Sequence, residues 1–279
     1  MKTNTKNILL PTDFSDNSWS AIVYTLKLYA DESCTFYILH SAYLSVSSIS
    51  DKFSKVFKDV EEKAKTELLE IRTLAESADA NANHEFEVIL SLENLNWAIE
   101  KAIDKYKIDL VALGTKGATG AKEFLFGSNT VRIIKKLRSC PVLIIPEDYD
   151  FVTPKQIAFP TDFNRFYEAK ELEPLKALAA LFNSKIQIVH INNEDDLNSV
   201  QKQNLASLKQ YLGTFEHSLH IVSDYSKKVE EIKNFIKELD IDILTMVNYE
   251  HSFIEGIFNE PIIKKIGFNP TIPFLVIPG

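Results

Sequence analysis

Leu110-Val111-Ala112-Leu113-Gly114-Thr115-Lys116-Gly117, then nine residues, then Gly127-Ser128-Asn129-Thr130, is the stretch on which the reading of this chain turns. An apolar run opens it, and an amphipathic segment from about Val131 to Leu137 follows it. Strand, glycine-spaced loop and helix in that order can hold phosphate, because glycines let backbone N–H groups turn inward and a helix N-terminus adds partial positive charge. The stretch reads as a nucleotide loop.

Upstream, Asn7 to Pro11 forms a short buried strand, and Thr12-Asp13-Phe14-Ser15 is turn chemistry leading into an amphipathic helix from about Asn17 to Asp31. Thr35 to His40 is a second strand. A polar loop through Ser50 leads to a long helical segment from about Asp51 to Ala78, rich in Lys and Glu. Phe86 to Leu90 alternates as a strand, Asn94 to Tyr106 has helical spacing, and Ile108 to Leu113 is the strand that enters the glycine loop. Downstream, Pro141 to Pro146 is a fifth strand closed by prolines. Strands alternating with helices imply a parallel sheet covered on both faces.

The pattern then restarts. Ile157-Ala158-Phe159-Pro160-Thr161-Asp162-Phe163 repeats Ile8-Leu9-Leu10-Pro11-Thr12-Asp13-Phe14, offset by 149 residues. Ile186 to His190 matches Phe36 to His40 at 150, Ile241 to Leu244 matches Ile108 to Val111 at 133, and Ile272 to Pro278 echoes Cys140 to Pro146. The fall from 150 to 133 places a deletion of about seventeen residues between the second and third strands, shortening the long helix to one from about Leu197 to Leu212. A tandem duplication follows, with domains at residues 1–148 and 153–279 and a short acidic linker from Glu147 to Pro154. Two lobes packed together are expected rather than two tethered beads.

The halves supply their own comparison. Where the first has Gly114, Gly117, Gly127 and Ser128, the second has Val247, Glu250, Asn259 and Glu260. Side chains fill the space that phosphates would approach, so the second half is not expected to hold a nucleoside triphosphate in the same way. Charge agrees: residues 1–146 carry 18 Lys and Arg against 19 Asp and Glu, and residues 147–279 carry 13 against 20. An anionic ligand meets less repulsion in the first half.

Composition sets outer bounds. With 279 residues and 45% hydrophobic content the chain can bury sizeable cores in one or two domains. A formal net charge of −8 and a pI near 5.4 argue against nucleic acid or anionic membrane as partner. Met1 to Lys6 carries no signal-peptide core and no apolar run is long enough to span a bilayer, so a cytoplasmic protein is expected. Cys34 and Cys140, without metal-site spacing, read as reduced packing residues.

Taken together, these residues resemble a tandem universal stress protein. The likeness covers both halves almost end to end, and its sharpest element is the ATP-binding pattern G-x2-G-x9-G-[ST], met by Gly114, Gly117, Gly127 and Ser128. The Pro-Thr-Asp-Phe-Ser opening and the proline-bounded last strand are typical of the same family. The resemblance implies two α/β domains, each a three-layer α/β/α unit on a five-stranded parallel sheet of order 3-2-1-4-5, packed as a pseudo-dimer. The family commonly pairs such lobes edge to edge through the last strand, here Val142 to Ile145 and Phe274 to Ile277; a homodimer is a further expectation.

The same resemblance implies ATP, with or without Mg²⁺, at the switch point between the first and fourth strands. It carries Asp13 to the nucleoside, Ser41 to the adenine side, and Gly114, Gly117, Gly127 and Ser128 to the phosphates; Pro11 and Thr12 on the same turn as Asp13, and Lys116, Asn129 and Thr130 beside the glycines, are further candidate binding residues. Ser41 departs from the apolar residue usual there.

Each position also has a plainer reading. The glycines could simply permit positive φ, Ser128 and Thr130 could be helix N-caps, and Lys116 and Lys122 could be solvated loop cations. Asp13 recurs as Asp162 in the half without the loop, which points to a structural share in its role, capping of the first helix. His40 and His190 suit hydrogen bonding better than metal ligation.

No Walker lysine, G-x-G-x-x-G, nucleophile elbow or nucleotidyl-transferase motif is present, so binding without dedicated chemistry is the leading expectation. A slow ATPase or phosphotransfer enzyme using Asp13 or Glu123, and a ligand-free interaction module, are the alternatives.

Overall fold

The computed structural model describes residues 5–43, 51–115, 127–191, 197–222, 228–249 and 271–279. It divides into two units, Met1–Asp150 and Phe151–Gly279. The first unit runs β1 (Lys6–Pro11), α1 (Asp16–Leu28), β2 (Cys34–Ser41), α2 (Asp51–Ala78), β3 (His84–Ser91), α3 (Leu95–Tyr106), β4 (Leu110–Gly114), α4 (Ser128–Lys136) and β5 (Val142–Ile145). Its strands lie in the order β3-β2-β1-β4-β5 and the neighbours pair parallel. This is the 3-2-1-4-5 sheet that the family resemblance implies.

Central strands of such a sheet are covered on both faces, which explains why β1 is a continuous apolar run rather than an alternating one. Ile8, Leu9 and Leu10 are wholly buried, each side chain contributing about 1.5–3 kcal/mol of hydrophobic stabilisation. α1 packs over β4 and β5, while α3 packs over β1 and β2. Local signals set the helix ends. Asn94 caps α3 by accepting from the Trp97 N–H, and Lys107 ends it in the left-handed region at φ 53°. The Asn7 amide then donates to the carbonyls of Tyr106 and Lys107, tying that helix end to the start of β1.

The second unit runs β6 (Gln156–Pro160), α5 (Ala169–Phe182), β7 (Lys185–Ile191), α6 (Ser199–Leu212), β8 (His217–Val222), α7 (Lys228–Glu238), β9 (Ile243–Asn248) and β10 (Phe274–Pro278). Its strand order is β8-β7-β6-β9-β10. Register agrees with the first unit pair for pair: Ile8 lies opposite Leu110 in β1 and β4, and Ile157 lies opposite Ile243 in β6 and β9. α6 has 14 residues where α2 has 28, which accounts for most of the shortening between second and third strands.

Several boundaries differ from the sequence expectation, two of them next to the ends of β4 and its counterpart β9. α4 begins at Ser128, three residues before Val131, and β9 begins at Ile243 rather than Ile241. In the second case the Asp242 carboxylate accepts from the N–H groups of Lys155 and Gln156 while its own N–H donates to the Gln156 carbonyl, so it clamps the start of β6 just ahead of β9. Asp109 does the same for the N–H of Asn7.

Candidate functional site

In the first unit the chain leaves β1 toward β2 on one side and leaves β4 toward β5 on the other, so a crevice opens at the carboxyl ends of β1 and β4. Pro11 closes β1 and is buried. The buried Thr12 fixes the turn that follows: its N–H donates to the Leu39 carbonyl at 2.8 Å, and its Oγ1 accepts from the Phe14 N–H at 3.0 Å. Ser18 Oγ donates to the Ser15 carbonyl, which leaves Thr12 Oγ1 as the donor in its 2.9 Å contact with Ser18 Oγ. These bonds hold Phe14 at φ 65°, a region costly for a bulky residue. The Phe14 ring also stacks on His40, whose Nδ1 donates to the Thr12 carbonyl at 2.8 Å.

Asp13 is exposed on this turn, and it is not the cap of α1. The cap is Ser15, whose Oγ accepts from the Ser18 N–H, while Asp13 Oδ1 accepts from Ser15 N–H at 3.2 Å and from Ser15 Oγ at 2.6 Å. A carboxylate two residues before a serine reaches back into an Asx turn more easily than it reaches the helix, so Asp13 acts on α1 through Ser15.

At the end of β4, Gly114 serves close packing. A Cβ there would lie 1.9 Å from Asn17 Oδ1, 2.7 Å from Asn17 Cγ and 3.0 Å from the Asn17 carbonyl oxygen. Gly127 sits at φ −55°, ψ 150°, a conformation open to any residue. Neither glycine is needed for positive φ.

The two ends of the loop are tied together. Thr115 N–H donates to Ile145, Gly127 N–H donates to the Thr115 carbonyl at 2.7 Å, and the buried Thr130 Oγ1 donates to the Gly114 carbonyl at 3.2 Å. The N-cap of α4 is thus Gly127, without a side-chain cap, and neither Ser128 nor Thr130. Thr130 spends its proton on β4, whereas Ser128 and Asn129 stand exposed on the first turn. An uncapped first turn leaves backbone N–H groups without intrahelical partners, as an anion seat requires.

Ser41 ends β2 and donates to the Glu93 carbonyl at 2.6 Å, which explains a hydroxyl at that position. The structure therefore gathers Pro11, Thr12, Asp13, Gly114, Gly127, Ser128, Asn129 and Thr130 around the ends of β1 and β4, with Ser41 one strand outward. Lys116, Gly117, Gly120, Lys122 and Glu123 lie outside the described residues.

The second unit keeps the turn. Thr161 Oγ1 accepts from the Phe163 N–H, Phe163 has φ 54°, and His190 Nδ1 donates to the Thr161 carbonyl while its ring stacks on Phe163. Thr161 Oγ1 lies 2.9 Å from Tyr167 OH, the bond that Thr12 makes to Ser18.

The rest of the crevice is filled with its own side chains. Arg165 stacks over the rings of Tyr249 and Tyr167, 4.4 and 5.0 Å from their centroids, and pairs with Glu171. Tyr249 OH donates to Asp162 Oδ1 at 3.4 Å. From α6, Gln201 donates to the Asp162 carbonyl and Asn204 to that of Phe163. Burial pushes the Tyr167 phenol up to about 12 and the Tyr249 phenol higher still, so both stay neutral donors. By the offset of 133, Tyr249 stands where the first unit has Lys116. That offset could have exposed Tyr249; Asn17 and Arg165 carry no spacing signal of their own.

A family model for the Universal stress protein family matches residues 4–146. The chain belongs to the universal stress protein family. A relative in that family, universal stress protein MJ0531 of Methanocaldococcus jannaschii, is 27% identical over 144 residues, which are 50% of this chain and 81% of that protein. The crystal structure of a universal stress protein from Archaeoglobus fulgidus DSM 4304 resembles this fold with a TM-score of 0.71 at 20% identity, over 97% of this chain and 95% of that one. At that identity the likeness is one of fold. It extends through the second unit, where the family match to residues 4–146 does not reach. Among the described residues, no helix of this universal stress protein is long and apolar enough to cross a membrane.

Proposed function

We propose that this universal stress protein binds ATP in its first unit and acts as a cytoplasmic regulator, occupancy of the site biasing its conformation or its partners. The observation that carries the reading is the pairing of the G-x2-G-x9-G-[ST] spacing with the loop closure at Thr115, Gly127 and Thr130. That closure puts the uncapped start of α4 beside the end of β4, where a polyphosphate can meet N–H donors. Asp13, exposed at the end of β1, is the group we assign to the ribose. No set of three His, Cys, Asp or Glu side chains that could hold a metal ion occurs among the described residues.

One nucleotide per chain is the expected stoichiometry, because Arg165, Tyr249 and Gln201 occupy the corresponding crevice of the second unit. Titration calorimetry with ATP, with and without Mg²⁺, tests this: one site per chain, lost in Gly117→Val, supports it. No heat from the wild type, or two equal sites, would sink it. ADP release above background that Asp13→Ala abolishes would instead favour an ATPase.

A further inference from the structure

The contact between Asn17 and Gly114 reaches beyond packing. Asn17 is the second residue of α1, buried to 6% exposure, and its carboxamide and main chain occupy the space that a side chain on Gly114 would take, where β4 gives way to the glycine loop. Gly114 in turn accepts the Thr130 hydroxyl of α4. On its other side Asn17 belongs to the helix turn that Ser15 caps and Asp13 braces. Asn17 thus links the start of α1 to the entry of the loop, and Gly114 passes that link on to the first turn of α4 through Thr130.

The second unit lacks this joint. Val247 replaces Gly114, and α5 begins only at Ala169, later than the repeat offset of 149 would place it. Phe166, which that offset aligns with Asn17, is half exposed.

Charge gives the contact a second meaning. Asp13 and Asp16 already flank Asn17 in sequence, and both are exposed. A third carboxylate pressed against the loop entry would oppose an incoming polyphosphate at low local dielectric, where charges act strongly.

We propose that Asn17 is a positioning residue of the phosphate end of the site, fixing where the loop leaves β4 and keeping that point uncharged. The inference rests on the nucleotide reading above, and its test separates the two.

ATP affinity is measured for wild type, Asn17→Asp and Asn17→Ala at low and high salt, together with unfolding followed by tryptophan fluorescence. A merely structural role predicts that the isosteric Asn17→Asp binds better than Asn17→Ala, since only the former keeps the shape. The proposal predicts the reverse. Asn17→Asp should lose about tenfold in ATP affinity, recovering part of it at high salt, and Asn17→Ala should lose only about two- to fivefold. An acidic residue in the first turn of a helix suits the helix dipole, so Asn17→Asp is expected to stay folded; if it does not, an Asn17→Ala loss with unfolding unchanged carries the test. Wild type that binds ATP while Asn17→Asp binds equally well, or better than Asn17→Ala, overturns the proposal alone. Wild type that binds no ATP overturns the nucleotide reading and this one with it.

Discussion

The ring of Phe14 lies on the imidazole of His40, centroids 4.2 Å apart and 30° from parallel. Each needs the other: Phe14 is held at positive φ, and His40 spends its Nδ1 proton on the Thr12 carbonyl that starts the same turn. Phe163 and His190 repeat the arrangement, with His190 only 1% exposed and its Nε2 buried without a partner among the described residues. Removing either imidazole should strand a carbonyl and open a cavity. The expected loss is about 1–2 kcal/mol for His40→Ala and about 3 kcal/mol for His190→Ala, whose site is more deeply buried. Both tryptophans, Trp19 and Trp97, belong to the first unit. His40→Ala should therefore shift the fluorescence-detected urea transition, whereas His190→Ala should shift circular dichroism alone.

Gly114→Ala should destabilise the first unit by about 2–3 kcal/mol, because the new methyl group would overlap the Asn17 carboxamide in a packed region. Asn17→Ala removes Oδ1 and Cγ, the two atoms nearest that methyl. In an Asn17→Ala background the cost of Gly114→Ala should fall below about 1 kcal/mol, and a double-mutant cycle on urea midpoints checks the coupling. Additive costs would show that another contact excludes the side chain.

The alternation of strands and helices, and with it a parallel sheet, was legible in the proline-bounded apolar runs separated by helical spacing; the strand order was legible only through the family resemblance. The repeated Thr-Asp-Phe turn was legible too, as was the loss of the glycines from the second half. What escaped is contact made across elements. Nothing in the spacing of Asn17 announces that it will meet Gly114 nearly a hundred residues later. Ser15 took the capping role assigned to Asp13, since both have suitable side chains and only geometry separates them. The start of α4 at Ser128 is not legible in the sequence, because an uncapped glycine gives no N-terminal signal.

The two thiols should be inert in the folded protein. Cys34 and Cys140 are buried and unpaired, and burial pushes both up to about 12. A thiol reagent at pH 8 should modify neither until urea unfolds the first unit, when both should react. The sign of the linked pH effect follows: the fold favours the protonated thiols, so their stabilisation is complete below the unfolded value near 8.5 and is lost as pH rises toward 12. Urea midpoints of the first unit should fall across that window, and less so in Cys34→Ala/Cys140→Ala measured against its own value at pH 7.

Arg165 should matter to the second unit and not to ATP. Its guanidinium is less than a third exposed, paired with Glu171 and stacked on Tyr249 and Tyr167. Arg165→Ala leaves Glu171 partly buried without its cation, at a cost of about 2 kcal/mol after allowance for solvent screening. Circular dichroism should record the loss while tryptophan fluorescence and ATP affinity stay unchanged. Opening this crevice should not create a second nucleotide site, because Val247 still stands at the end of β9 and no glycine spacing follows it. A second equivalent of ATP bound by Arg165→Ala would show that the arginine alone, rather than the lost glycines, keeps nucleotide out.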